Sequence, residues 1–190
     1  MCSTTILFAT SNKHKLTEAK AILSQVGISI KQYPHRPPEL QADSLEEIAR
    51  HSVEQILQEV SHPVFVEDAG MFIHHLNGFP GPYSHYVLDT IGNVGILKLM
   101  KDVENRRAVF RSAVAFASPS QHCKIFIGET LGYITKEIRG SHWGFDPVFV
   151  PIEGDGRTYA EMGAEKNKYS HRARALSKLA EWLSKQQQTT

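Results

Sequence analysis

Little in the sequence ties the chain to a membrane, a nucleic acid or an oxidising compartment. Its 190 residues include two cysteines, Cys2 and Cys123, with no Cys-x-x-Cys pair. A bridge between them is open in principle, but a reduced cytoplasmic protein is the expectation. No apolar run approaches the length that spans a bilayer. Met1 to Thr5 leads straight into a strand pattern, without the charged leader and apolar region of a secretory signal. An excess of one charge is also missing. Lys and Arg number 21 against 20 Asp and Glu, a formal net charge of +1. That balance argues against nucleic acid as an obligate partner, because duplex binders carry a basic excess or stripe. It still permits a local basic pocket for a phosphorylated small molecule. With 41 % hydrophobic and 22 % charged residues, the chain is an ordinary globular sequence, long enough for one generous domain or two tightly joined lobes. It holds no internal repeat, low-complexity tract or convincing linker.

The hydrophobic pattern of the first third is strand–helix–strand–helix–strand, which predicts an α/β protein. Ile6-Leu7-Phe8-Ala9 reads as a buried strand. Thr10-Ser11-Asn12 offers N-cap chemistry, and Leu16, Ala19, Ile22, Leu23 and Val26 recur at helical spacing up to Gly27. Ile28 to Lys31 predicts a second strand beside the first. A proline-rich surface loop, 34–39, follows. Ser44 and Glu47 form a capping-box pattern ahead of an apolar stripe of Leu45, Ile48, Ala49, Val53, Ile56 and Leu57. Pro63 to Val66 predicts a short strand that stops at Glu67-Asp68, with Gly70 allowing a turn. Further on, 86–100 reads as two short helical pieces punctuated by Gly92 and Gly95. Residues 108–117 alternate as a strand and pair with a second one within 124–138 across Ser118-Pro119-Ser120. Ala173, Leu176, Leu179, Ala180 and Leu183 mark a C-terminal helix, with 186–190 as a frayed tail.

Glu67-Asp68 is the centre of the candidate chemistry. Ligands of α/β proteins collect outside the carboxyl ends of strands. Neighbouring carboxylates there can hold a hard divalent cation, or divide the work of metal ligand and general base. The plain alternative is an acidic turn capping a strand. Asn77-Gly78-Phe79-Pro80-Gly81-Pro82-Tyr83-Ser84 follows closely, so rich in backbone-shaping residues that the loop must hold one particular shape. Thr10-Ser11-Asn12-Lys13-His14-Lys15 lies where a strand gives way to a helix, a natural phosphate site, although it lacks the glycines of a Walker loop. Gly140-Ser141-His142-Trp143-Gly144-Phe145-Asp146-Pro147 is a glycine-bounded turn with two aromatics. Such a ring can stack on a base, worth roughly 1–3 kcal/mol, or simply pack on the core. Residues 164–172 gather donors at the start of the last helix. His74-His75 lacks the i, i+4 spacing of a metal pair.

Taken together and in order, Thr10-x-Asn12-x-x-Lys15, Glu67-Asp68-x-Gly70, Gly78-x-Pro80-Gly81-x-Tyr83-Ser84, Gly144-Phe145-Asp146-Pro147, Thr158-x-Ala160-Glu161-Met162 and Glu165-Lys166-Asn167-x-x-Ser170-His171-Arg172 resemble the inosine triphosphate pyrophosphatase family. These enzymes remove non-standard purine nucleotides, and the resemblance runs over nearly the whole chain. It implies an α/β fold built on a long bent mixed sheet with flanking helices, in one domain of two lobes (1–190) with the substrate cleft between them. It also implies a homodimer, a Mg²⁺ requirement, and hydrolysis of ITP, dITP or XTP to the monophosphate and pyrophosphate. Carried over position by position, Thr10, Ser11, Asn12, Lys13, His14 and Lys15 would hold the triphosphate, next to Ala69. Asp68 would bind metal and act as general base, with Glu67 beside it as a metal or water ligand and Glu39 or Asp43 completing the metal site. Trp143 would cover the purine within the Gly144-Phe145-Asp146 turn, and Asp146, Lys166, His171 and Arg172 would read its edge. Two departures bear on efficiency. Ala69 replaces a frequent serine or threonine, and His85 replaces a frequent lysine or arginine.

Three rivals compete with this reading. A Maf-like pyrophosphatase acting on pyrimidine or methylated nucleotides is opposed by the Ser170-His171-Arg172 segment. A nucleotide-binding regulator without turnover is opposed by intact Glu67, Asp68 and Lys15. A nucleic-acid-binding module would be marked by a steep salt dependence of affinity.

Overall fold

The structure, a computed structural model, describes residues 5–34 and 40–188, with side chains to Gln186. The sheet begins with β1 (Ile6–Ala9), followed by α1 (Lys13–Ser24), β2 (Ile30–Tyr33), α2 (Leu45–Glu59) and β3 (Val64–Ile73). β2 starts two residues later than its hydrophobic pattern predicts. β1 lies between β2 and β3 and is parallel to both, with Ile6 opposite Ile30 and Phe8 opposite Phe65. Phe8 and Phe65 stack at 4.4 Å between ring centroids. A parallel strand covered on both faces needs apolar side chains on both, which is why β1 carries no polar residue. α1 is capped by Asn12, whose Oδ1 accepts from the backbone N–H of His14 and Lys15. Ala19 and Leu23 bury its inner face, while Val26, predicted as part of that stripe, is 57 % exposed beyond the helix end. Ser44 caps α2 by accepting from the Glu47 N–H.

After β3 come β4 (Pro80–Gly81), α3 (Ser84–Thr90), α4 (Gly92–Leu99), β5 (Arg107–Ser118), β6 (Gln121–Ile134), β7 (Phe149–Pro151), α5 (Tyr159–Met162) and α6 (His171–Gln188). One seven-stranded mixed sheet results, in the order β2-β1-β3-β5-β6-β7, with β4 antiparallel to β3 and β7 antiparallel to β6. The expected α/β class and mixed sheet are thus borne out. Pro119 and Ser120 join β5 to β6 directly, a connection that only antiparallel neighbours permit. β5 is buried on both faces from Ser112 onward, so its apparent alternation does not mark a solvent side. Gly95 lies inside α4 instead of interrupting it, where a Cβ would meet Ile91 at 2.4 Å. β7 and the capping box of Thr158 and Glu161 that opens α5 were not anticipated, and α6 continues into the expected tail as far as Gln188.

By contacts the chain divides into two compact units. The first comprises Met1–Asp68, Ser112–Gly128 and Arg172–Thr190; the second comprises Ala69–Arg111 and Glu129–His171. Phe8, Leu23, Phe65, Phe116, Leu176 and Leu179 are at the core of the first. Met71, Phe110, Phe149, Tyr159 and Met162 are at the core of the second.

Candidate active site

The central correction to the sequence reading concerns the acid pair. Glu67 and Asp68 do not end a strand. β3 continues through them to Ile73, and Gly70, expected at a turn, is extended strand. Gly70 is required because the Gly81 carbonyl of β4 approaches so closely that a Cβ would meet that oxygen at 2.3 Å. Ser84 secures this pairing, accepting from the Met71 N–H at 2.9 Å and donating to the Gly81 carbonyl at 2.8 Å. Successive side chains of a strand point to opposite faces, so two adjacent mid-strand carboxylates cannot converge on one ion from the same side. Glu67 is buried, and Asp68 is half-buried.

Within the first unit, Glu67 is surrounded by partners. Its Oε1 accepts from Ser112 Oγ at 2.6 Å and lies 3.2 Å from Arg172 Nε. Its Oε2 is 3.0 Å from Lys15 Nζ, which also donates to the Glu67 carbonyl at 2.9 Å. Arg172 in turn pairs through Nη1 with Glu18 Oε2 at 2.5 Å. Two cations thus balance two carboxylates in a nearly dry cluster. Burial pushes the Glu67 carboxyl up, but Arg172, Lys15 and the Ser112 hydroxyl outweigh it and hold the group far below the usual carboxylate range. Burial likewise weakens the charged form of Arg172, and Glu67 and Glu18 more than restore it. The sequence reading missed Glu18 and Ser112. A signal for Glu18 existed, since it falls three residues after Lys15 on the inner face of α1. Ser112, one hydroxyl in an apolar strand, offered little.

Lys15 therefore donates to the Glu67 carbonyl and forms an ion pair with its carboxylate. Thr10 Oγ1 accepts from the Asn12 N–H at 3.1 Å, and the Asn12 oxygen is taken up by the helix cap. Thr10, Ser11, Asn12, Lys13, His14 and Lys15 are thus brought together as one capped strand-to-helix turn, as their spacing predicts. A magnesium ion is commonly held by one or two carboxylates together with substrate phosphate oxygens. The half-buried Asp68 fits that role, whereas Glu67 has no exposed side-chain surface, with Oε1 beside Arg172 and Oε2 beside Lys15, although Oε2 makes no hydrogen bond among the described residues. No cluster of three or more metal-ligating side chains occurs among the described residues. Glu39 lies outside them.

Within the second unit, Asp146 Oδ2 is shared by Lys166 Nζ and His142 Nδ1, each at 2.7 Å. Burial raises the Asp146 carboxyl, while the His142 hydrogen bond and the Lys166 charge hold it below its ordinary value. Lys166, 2 % exposed, lies 5.4 Å from the centroid of the Trp143 ring. Trp143 is half-buried, whereas Phe145 packs into the core, so Phe145 has only its backbone to offer a ligand. His171 stacks on Phe110 at 4.5 Å. Arg172, also expected at the purine edge, forms ion pairs with Glu18 and Glu67. Ala69 is half-buried, and His85 lies on an exposed face of α3, 3.6 Å from Asp89. His74 and His75 form a short 3₁₀ turn. No helix of the described residues is long and apolar enough to cross a membrane.

The sequence model of the Ham1 family matches residues 6–182. A dITP/XTP pyrophosphatase of Methanopyrus kandleri is 51 % identical over 179 residues, covering 93 % of this chain and 95 % of that protein. One of Thermococcus kodakarensis is 46 % identical over 180 residues, covering 94 % and 96 %. Among solved structures, the Staphylococcus aureus Ham1 protein superposes with a TM-score of 0.83 at 25 % identity, covering 96 % of this chain and 99 % of its own. A HAM1 protein from Coxiella burnetii gives 0.81 at 27 %, with the same coverage.

Proposed function

Because the chain belongs to the Ham1 family, we propose that it is a nucleoside triphosphate pyrophosphatase, a single catalytic domain that hydrolyses dITP, XTP and ITP to the monophosphate and pyrophosphate. The observation that carries the reading is a half-buried Asp68 one residue from a Glu67 that holds Lys15 through both its carbonyl and its carboxylate. Thr10, Ser11, Asn12, Lys13, His14 and Lys15 bind the triphosphate at the start of α1, where the helix terminus favours an anion. Asp68 takes the proton of the attacking water while the bridge between the α and β phosphates breaks. Mg²⁺, held by Asp68 and the phosphates, would neutralise charge on the reacting group as a Lewis acid. Glu67 keeps Lys15 in place instead of ligating the ion.

The second cluster binds the base. Trp143 stacks on the purine, and Lys166, Asp146 and His171 meet its edge. A 6-keto oxygen accepts from Lys166 or His171, whereas the 6-amino group of adenine would leave those donors unmet. Rejection of GTP depends on contacts around C2. Exposed Tyr83, Tyr86, Ile91 and Val94 near α3 and α4 supply apolar surface for the proposed homodimer. A cytoplasmic location fits a nucleotide-pool enzyme with few cysteines.

The test is pyrophosphate release with Mg²⁺ from XTP, dITP, ITP, GTP, ATP and dUTP. Turnover of the first three with little of ATP is expected. A preference for dUTP would favour the Maf-like alternative, and silence with retained ITP binding would favour a regulator. Trp143→Ala is expected to raise KM for purine substrates about 5- to 150-fold, the equivalent of ~1–3 kcal/mol of stacking. An unchanged KM would return that ring to the core.

A further inference from the structure

We propose that Asn93, in the first turn of α4, is a positioning residue for the nucleobase. Its side-chain amide holds the Gly144 carbonyl and so sets the pose of Trp143 and Asp146 on either side. The inference rests on the reading that this turn receives the base. Asn93 Nδ2 donates to Gly144 O at 3.0 Å, a tie between residues 51 apart in the chain. Backbone bonds close the base of the turn, from Arg139 N to Pro147 O at 2.9 Å and from Val148 N to Phe145 O at 3.1 Å. Near its tip, Gly144 has φ of +68°, and a Cβ there would meet nothing within 4 Å among the described residues. The space beside Gly144 is open, and the Asn93 amide holds its carbonyl directly.

The other half of the same amide argues that Asn93 is not there for stability. Its Oδ1 is buried without a hydrogen-bond partner among the described residues, and an unmet buried acceptor destabilises a fold. A leucine, with the same branched heavy-atom skeleton, would leave no such acceptor behind. The amide is accounted for by what its donor does to the turn.

The experiment compares Asn93→Leu, Asn93→Asp and Trp143→Ala in the full-length protein. For each, kcat and KM are measured with XTP and dITP, together with inhibition by inorganic tripolyphosphate and thermal melting. Tripolyphosphate carries the phosphates without a base. Asn93→Leu is expected to raise KM about three- to tenfold, with kcat within about twofold, unchanged tripolyphosphate inhibition and no loss of melting temperature. Asn93→Asp, which cannot donate to Gly144, should raise KM similarly. If Trp143→Ala raises KM and neither Asn93 variant does, the inference is overturned and the base-binding reading survives. If none of the three moves KM, both fall. A parallel change in tripolyphosphate inhibition and melting temperature would mean that Asn93 only supports the fold, which also overturns the proposal.

Discussion

Replacement of Asp68 by asparagine is expected to lower kcat for XTP and dITP by about 10²–10⁴-fold, the range associated with losing a positioned acid or base. Asparagine keeps the shape of the side chain but cannot take a proton from water, and it is a weaker ligand for a hard cation. Asp68 is half-buried, so the fold should survive the loss of its charge. The measurement is steady-state pyrophosphate release over a magnesium titration, with thermal melting alongside. A lower kcat, a higher magnesium requirement and an unchanged melting temperature are expected together. A variant that turns over at the parent rate would remove Asp68 from both proposed roles and leave the mechanism without its base.

The second large effect is on stability. Arg172→Ala is expected to cost about 3–5 kcal/mol, as when one partner is removed from a buried ion pair. At about 2–4 °C per kcal/mol for a chain of this size, that is a fall in Tm of roughly 6–20 °C. Glu18 and Glu67 are 9 % and 7 % exposed, and both would lose the guanidinium charge where water screens them poorly. Pairing Arg172→Leu with Glu18→Leu should cost less than the single change, because one orphaned carboxylate disappears with its partner. Acid sharpens the comparison. The folded-state pKa of Glu67 is depressed, so its contribution to stability is fully present above the unfolded carboxylate value of about 4.3. It is lost as pH falls below that value toward the depressed folded one. Tm measured from pH 7 down to pH 2 should therefore decline more gently in Glu67→Gln than in the parent. Arg172→Ala should begin its decline at higher pH. A melting temperature unmoved by Arg172→Ala would show that the ion pairs contribute no net stability; an accompanying loss of discrimination against ATP would restore Arg172 to the base.

Much of the architecture was legible because local pattern and tertiary environment agree. Asn12 and Ser44 cap α1 and α2 where short polar side chains precede an apolar stripe. The stripe of α2 is buried through Leu45, Ile48, Ala49, Val53 and Ile56. The ordered motifs from Thr10 to Arg172 pointed to the family that the comparisons then showed. Short elements were less legible. β4 is two residues long and β7 three, too short for a period to register, and they are defined by their pairing with β3 and β6.

The sequence by itself determined that this is an α/β chain of a nucleotide-hydrolysing family and which residue types stand ready for phosphate, metal and base. It could not determine which of those side chains share a partner. A strand end and a strand middle look alike when the following residues are Ala69 and Gly70, so only the continuation of β3 to Ile73 showed that Glu67 and Asp68 face opposite ways. A carboxylate on a helix is ordinarily a solvated one, so only the packing of α1 revealed Glu18 as a partner of Arg172, 154 residues away. Hydrophobic periodicity is a property of neighbours along the chain and is written in the sequence. Charge compensation in a buried cluster is a property of neighbours in space, and the tertiary structure alone decides it.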